Sequence, residues 1–213
     1  MKNNNQPVFQ TLLPFVLASA SPRRRELLAG LGLDFTIRVV DGAEPAAGAN
    51  DVPEVYVMHA AKAKAEAVAR VLSHENAPAS VVLGADTVVV LHEPGGPVIL
   101  GKPANNKEAL AMLLHLAGRE HSVYTGCCLI LPHATDCFYD VARVRFAPWS
   151  EAVLQAYVNT GESLDKAGAY AIQGQGAFLA DRIEGLWSTI VGLPLAPLTT
   201  RLLHSGVIRA FAS

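Results

Sequence analysis

Cysteine is scarce in this chain of 213 residues, with only three, two of them the neighbours Cys127 and Cys128. An odd count without C-x-x-C spacing argues against a disulfide scaffold and against a thiolate zinc site. Adjacent cysteines are poorly placed to bridge to each other, so reduced thiols in a cytoplasmic setting fit best. Charge of one sign is also missing: 17 basic and 19 acidic side chains leave a net charge of -2, so no global field holds the chain on a polyanion. Aromatics are few, at 7%, and do not interleave with basic residues, which argues against a nucleic-acid stacking surface. Nor is there a run near the ~18 apolar residues that a bilayer-spanning helix needs.

What the chain does have is apolar material, 51% of its residues, enough for a buried core in a single domain over 1–213. Lys2, the apolar run to Ala18 and the small residues of "ASAS" resemble a secretory signal. Gln10, Thr11 and Pro14 interrupt that run, however, and cleavage would remove the strand expected at "FVLAS". Further on, strand-like and helix-like stretches alternate. "FTIRVV" (35–40) reads as a strand, and "EVYVMHAAKAKAEAVARVL" (54–72) as an amphipathic helix. "SVVLGADTVVVL" (80–91) reads as one or two buried strands, with "HEPGGPVIL" returning as a hairpin. A helix is expected at 106–117, paired strands in "SVYTGCCLIL" and "CFYDVARVRFA", and a helix from Ser150 to Val158. Short Gly-rich strands around "AYAIQGQGAFL" and a helix after Pro194 complete the pattern. It predicts an α/β fold: a central mixed β-sheet flanked by helices, with two lobes around a substrate cleft.

Several residues conflict with their local setting. In "LASASPRRRELL", Ser21 is a good N-cap and Pro22 fits the first helical position, yet Arg23, Arg24 and Arg25 then crowd the positive end of the helix dipole. An incoming anion would resolve that conflict. Val57, Ala61, Lys64, Val68 and Val71 share one helical stripe with Lys64 at its centre, either snorkelling past alanines or buried for function, as unpaired buried lysines tend to be. Asp86 and Thr87 break a valine run behind Gly84, as a hydrogen-bonded strand end or as a base or metal ligand in a pocket. Lys102 is fixed between Gly101 and Pro103. In "ESLDKAGAYAIQGQGAFL" (162–179), Gln173 sits among glycines that let a backbone approach a ligand, and its carboxamide offers one donor side and one acceptor side to a base edge. Arginines and lysines to neutralise a polyphosphate, acids to hold a divalent cation, and Asp86 to orient or deprotonate water together suit attack at phosphorus.

In order, "LASASPRRRELL", "GADTVV", "LGKP", "DKAGAYAIQG" and "VGLPL" resemble the Maf family of nucleoside triphosphate pyrophosphatases over essentially the whole length. The resemblance implies a mixed α/β fold with a cleft, and metal-dependent hydrolysis of a nucleoside triphosphate to monophosphate and pyrophosphate with Mg²⁺ or Mn²⁺. It also carries a link to septum formation. By position, Ser19, Arg23, Arg24, Thr87 and Gln173 would bind substrate, with Arg23, Thr87 and Gln173 at positions associated with substrate choice; Asp86, Lys64 and Lys102 would be catalytic, and Glu44 and Asp86 would hold the metal. "KAGAYAIQG" looks like the branch acting on dTTP and UTP; a branch acting on 7-methyl-GTP is the alternative. Three departures stand out: Pro45 after Glu44 where a second acid could stand, a long "LHEPGGPVIL" loop, and Thr189 in "STIVGLP". A nucleotide-binding regulator without turnover is a rival reading, though it would have little need of Asp86 with Lys64 and Lys102. The partner expected is a nucleotide, with no nucleic acid and no membrane; monomer and homodimer both stand open.

Overall fold

Three long strands carry the fold because three stretches combine β-branched and apolar residues in excess. The computed structural model describes residues 7–43, 45 and 52–211. Within them β4 (Val81–Glu93), β6 (Glu120–Ile130) and β7 (Thr135–Phe146) run antiparallel side by side, and β8 (Ala180–Glu184) extends the sheet beyond β7. On the other side β2 (Phe15–Leu17) pairs parallel with β4 and with β3 (Thr36–Ile37). The sheet is mixed and flanked by helices, as the alternation of elements predicts. A separate ribbon of β1 (Phe9–Thr11) and β9 (Ile208–Ala210) ties the first described strand to the last.

One edge of β4 places the site. β2 pairs with Val81–Leu83, and β5 (Gly96–Leu100) pairs with Val89–Glu93. Since β6 occupies the opposite edge over residues 82–90, β2 and β5 share one edge and leave Gly84–Val88 unpaired between them. The notch coincides with "GADTV". Because side chains alternate across a strand, Asp86 and Thr87 leave it on opposite faces of the sheet.

One face carries α2 (Pro53–His74), whose Val57, Ala60, Ala61, Ala65 and Val68 are buried. This helix lies unusually close because two sheet positions have no side chain. A Cβ at Gly84 would sit 2.1 Å from the Ala61 carbonyl oxygen, and one at Gly126 would sit 2.4 Å from the Val57 carbonyl. The other face carries α1 (Pro22–Gly30), α3 (Asn106–Leu116), α4 (Glu151–Val158), α5 (Trp187–Val191) and α6 (Leu195–His204) over two apolar clusters. Leu28, Leu83, Leu129 and Leu198 centre one; Leu113, Val123, Phe146 and Leu154 centre the other.

Several expectations are corrected. The strand read over 35–40 shrinks to two exposed residues, Thr36 and Ile37, at the sheet edge. Val71, expected on the buried stripe of α2, is 38% exposed because it lies near the end of the helix. The Gly-rich strands expected around "AYAIQGQGAFL" are 3-10 turns, Ala167–Ala169 and Gly174–Leu179, with Gly168 and Gly174 both at φ 68°. Positive φ at those glycines breaks the extended backbone a strand requires. The three thiols expected to be reduced are not all free either: Cys128 and Cys137, direct cross-strand neighbours, form a disulfide. Cys127 remains a buried thiol on the opposite face, its pKa pushed up to about 12 by burial.

Candidate active site

A cleft of about 590 Å³ opens at the notch. Its lining includes Ser19, Arg23, Arg24, Lys64, Asp86, Thr87, Lys102 and Gln173, eight of the nine residues singled out from the sequence. The ninth, Glu44, lies outside the described residues. Residues from both faces meet there because the gap between β2 and β5 lets the cleft pass around the edge of β4.

On the α2 side, Lys64 Nζ lies 2.6 Å from Asp86 Oδ1, with both side chains largely buried. That contact decides between the alternatives for Lys64: it meets a carboxylate inside the cleft rather than only reaching solvent. The other carboxylate oxygen, Asp86 Oδ2, is buried without a hydrogen-bond partner among the described residues. A buried carboxylate oxygen carries a desolvation cost unless something binds it. Asp86 is therefore held by one oxygen, while the other is buried without a partner among the described residues.

On the opposite side, the three arginines divide. Ser21 caps α1, its hydroxyl accepting from the Arg24 amide at 3.5 Å. Arg24 turns inward and is 8% exposed, with Nε donating to the Gly192 carbonyl at 2.9 Å, Nη1 to Ser19 Oγ at 3.1 Å and Nη2 to Thr87 Oγ1 at 3.0 Å. Those bonds tie α1, β2, β4 and the turn after α5 into one wall of the cleft. Arg23 lines the cleft beside Asp165, 3.8 Å away, while Arg25 is exposed. The conflict at the helix start is thus resolved partly inside the protein, by acceptors for Arg24, and left open at Arg23. Lys102 is exposed at the cleft and makes no salt bridge among the described residues.

Gln173 is half-buried and stands on a loop held from behind. The Glu162 carboxylate accepts the amides of Gly176 at 3.0 Å and Gln175 at 3.3 Å. Tyr157 Oη accepts the Ala171 amide at 3.1 Å, and burial raises its pKa. Nearby, burial works to raise the Asp165 carboxyl, but the Lys166 hydrogen bond and the charges of Lys166 and Arg23 outweigh it and hold the pKa below its ordinary value. Lys166 also donates to the Glu162 carbonyl at 2.6 Å, so one lysine joins both ends of this loop start.

Some lining residues escaped the sequence reading. Asp41, in the loop after β3, is exposed in the cleft and joins Asp86 and Asp165 as its third described acid; its signal was the "DGAEP" turn, in which only Glu44 stood out. Tyr56 lines the same wall and donates to the Pro45 carbonyl at 3.1 Å, fastening the loop after β3 to α2. Behind the lining, Thr125 is fully buried next to Thr87 and is placed there only by the register of β4 and β6; Thr189 of α5, noted in the sequence only as a departure, is fully buried beside it and accepts from its hydroxyl.

Residues 14–205 match the family model described as "Maf-like protein". Among similar proteins, a dTTP/UTP pyrophosphatase of Nitratidesulfovibrio vulgaris is 48% identical over 94% of this chain and 91% of its own length. One of Lawsonia intracellularis, also named dTTP/UTP pyrophosphatase, is 46% identical over 95% of the chain and 88% of its own. A third of that name, from Myxococcus xanthus, is 47% identical over 93% and 94%. With the family model covering nearly the whole chain and the quoted motifs converging on one cleft, the protein belongs to the Maf-like family.

Proposed function

We propose that this protein hydrolyses dTTP and UTP to the nucleoside monophosphate and pyrophosphate. The observation that carries the reading is the Lys64–Asp86 pair, in a cleft also lined by Arg23 and Lys102, with the second Asp86 oxygen buried and without a partner among the described residues. Asp86 Oδ2 accepts a proton from, or orients, the water that attacks the α-phosphorus, and Lys64 keeps the carboxylate aimed through Oδ1. Arg23 and Lys102 neutralise the triphosphate and the charge that builds on the departing pyrophosphate. Gln173 lines the same cleft and donates from its carboxamide NH₂ to a carbonyl oxygen of the pyrimidine. The names of the relatives support dTTP and UTP as substrates.

A divalent cation, Mg²⁺ or Mn²⁺, fits the donor set. Among the described residues no three acidic, histidine or cysteine side chains gather into a cage. Mg²⁺ is commonly held by one or two carboxylates together with substrate phosphates and water, and Asp86 is of that type: its Oδ2, without a partner among the described residues, would hold the cation in place of taking the proton. When bound, the cation would supply Lewis-acid charge that offsets the negative charge of the triphosphate. The nucleotide substrate supports a cytoplasmic location, although the Cys128–Cys137 disulfide removes the argument from reduced thiols; no helix among the described residues is long and apolar enough to cross a membrane.

The test is pyrophosphate release with Mg²⁺ or Mn²⁺ from dTTP, UTP, CTP, GTP, ITP and 7-methyl-GTP, with Asp86→Asn as control. Release from dTTP and UTP that disappears in the variant supports the reading. Preference for another nucleotide overturns the substrate assignment, and no turnover overturns the hydrolytic one.

A further inference from the structure

Thr87, Thr125 and Asp140 are successive cross-strand neighbours on β4, β6 and β7, on the face of the sheet opposite α2. They form a polar row between two apolar groups, with Ala85, Cys127 and Phe138 on one side and Val89, Val123 and Val144 on the other. Counting protons along the row fixes its direction. Thr125 Oγ1 donates to the Thr189 carbonyl at 2.7 Å. A threonine has one hydroxyl proton, so Thr125 can only accept at its 2.9 Å contact with Thr87 Oγ1, and Thr87 is the donor there. Arg24 Nη2 has only protons to offer and donates to the same Thr87 oxygen at 3.0 Å.

The Thr87 hydroxyl therefore has its proton turned into the protein and one lone pair occupied. What it can offer the cleft is the second lone pair. Thr87 is half-buried on the cleft wall, whereas Thr125 is fully buried behind it. The carbonyl that takes the Thr125 proton is itself fixed, because Thr189 Oγ1 donates to Asp140 Oδ2. Gly192, at φ 128°, leaves room for the arrangement: a Cβ there would stand 3.3 Å from Arg24 Nε and 3.6 Å from Thr87 Oγ1.

We propose that Thr125 is a specificity-positioning residue: by holding the Thr87 proton inward, it makes Thr87 an acceptor-only hydroxyl in the nucleotide cleft. Such a group favours a ligand atom that donates, the ring N3–H of uracil or thymine, over the bare N3 acceptor of cytosine. It also disfavours a phosphate oxygen, so this point of the cleft receives the nucleoside. The inference rests on the pyrimidine-nucleotide reading above and deepens it by naming the group that is read. A ribose hydroxyl also donates, and UMP against CMP separates the two sources, since their sugars are identical.

The experiment is calorimetric titration of UMP, CMP and N3-methyl-UMP into the wild-type protein, Thr125→Val and Thr125→Ser. Wild type is expected to bind UMP about tenfold more tightly than CMP, the value of one well-placed hydrogen bond. Thr125→Val cannot accept the Thr87 proton, so Thr87 becomes free to donate to cytosine N3 and the ratio collapses towards one. Thr125→Ser restores it. Equal affinity of wild type for UMP and CMP, an unchanged ratio in Thr125→Val, or an equal loss for both nucleotides overturns the proposal. Should Thr125→Val fail to fold, N3-methyl-UMP decides on wild type alone: binding as tight as UMP refutes it. Pyrophosphate release from UTP, measured on the same preparations, tests hydrolysis separately; UMP selectivity without turnover would refute the catalytic reading and leave this one standing.

Discussion

Gly84→Ala is a one-methyl change that should dislodge the Lys64–Asp86 pair from a distance. Gly84 has no positive φ that would strain an alanine, so the effect comes from contact alone. The new Cβ would stand 2.1 Å from the Ala61 carbonyl oxygen, 2.8 Å from the Ala65 nitrogen and 3.0 Å from Ala65 Cβ. Two of these atoms are backbone of α2, which cannot rotate aside, and carbon atoms pack without repulsion only near ~3.5 Å. The helix must therefore lift by roughly 1 Å. Lys64 lies between Ala61 and Ala65, so its 2.6 Å contact with Asp86 opens as the helix moves. Overpacking of this kind costs about 3 kcal/mol, the upper part of the usual range, because the obstacle is main chain. At about 2–4 °C per kcal/mol for a domain of this size, Tm falls by roughly 10 °C. Turnover measured well below that Tm falls about 100-fold, since misplacement by ~1 Å of a catalytic group has that effect. Gly30→Ala is the control: nothing lies within 4 Å of its added Cβ, and in α1 it should raise stability by up to about 1 kcal/mol. Calorimetry and pyrophosphate release on the two variants test the argument. A Gly84→Ala protein with wild-type Tm and turnover would refute the close seating of α2.

Asp86→Asn keeps the shape but removes the charge facing Lys64, and kcat should drop by about 10²–10⁴ in pyrophosphate release; a variant within tenfold of wild type would remove Asp86 from the mechanism. His121 is fully buried, and burial lowers its pKa to about 4 from the ordinary 6.5 of a histidine. The unfolded chain thus takes up a proton below about 6.5 that the folded chain refuses, so stability is full above that pH and is lost as pH falls towards 4. Between pH 7 and pH 5 the loss is about 2 kcal/mol in urea titrations, and His121→Gln should flatten it; an equal slope in both proteins would refute the assignment. Glu162→Ala leaves the amides of Gln175 and Gly176 without their acceptor, and should raise KM for dTTP several-fold with little change in kcat. An unchanged KM would show that Glu162 does not hold the loop carrying Gln173.

What the sequence disclosed and what it withheld divide along the reach of each signal. Helices such as α2 and α3, and strands such as β4 and β6, follow from periodicity and valine content, which act within a dozen residues. Lys64 and Asp86 were conspicuous because each broke an apolar pattern, yet their pairing depended on α2 approaching β4 over Gly84. A glycine in a strand signals close approach without saying of what. The Gly-rich loop misled for a related reason: "AYAIQGQGAFL" has the apolar content of a strand, but positive φ at Gly168 and Gly174 and the Glu162 carboxylate 12 residues before Gly174 shape it into turns. Arg24 shows the limit most clearly. Its position at a helix start suggested a free cation awaiting an anion, whereas Ser19, Thr87 and Gly192, up to 168 residues away in the chain, accept from three of its nitrogens. Thr87 in turn has its proton direction set by Thr125, which has no local anomaly at all. The charged groups of this cleft therefore announce themselves in the sequence through the cost of placing charge in apolar surroundings. The neutral hydroxyls behind them, which carry no such cost once paired, emerge only when strand register brings them side by side.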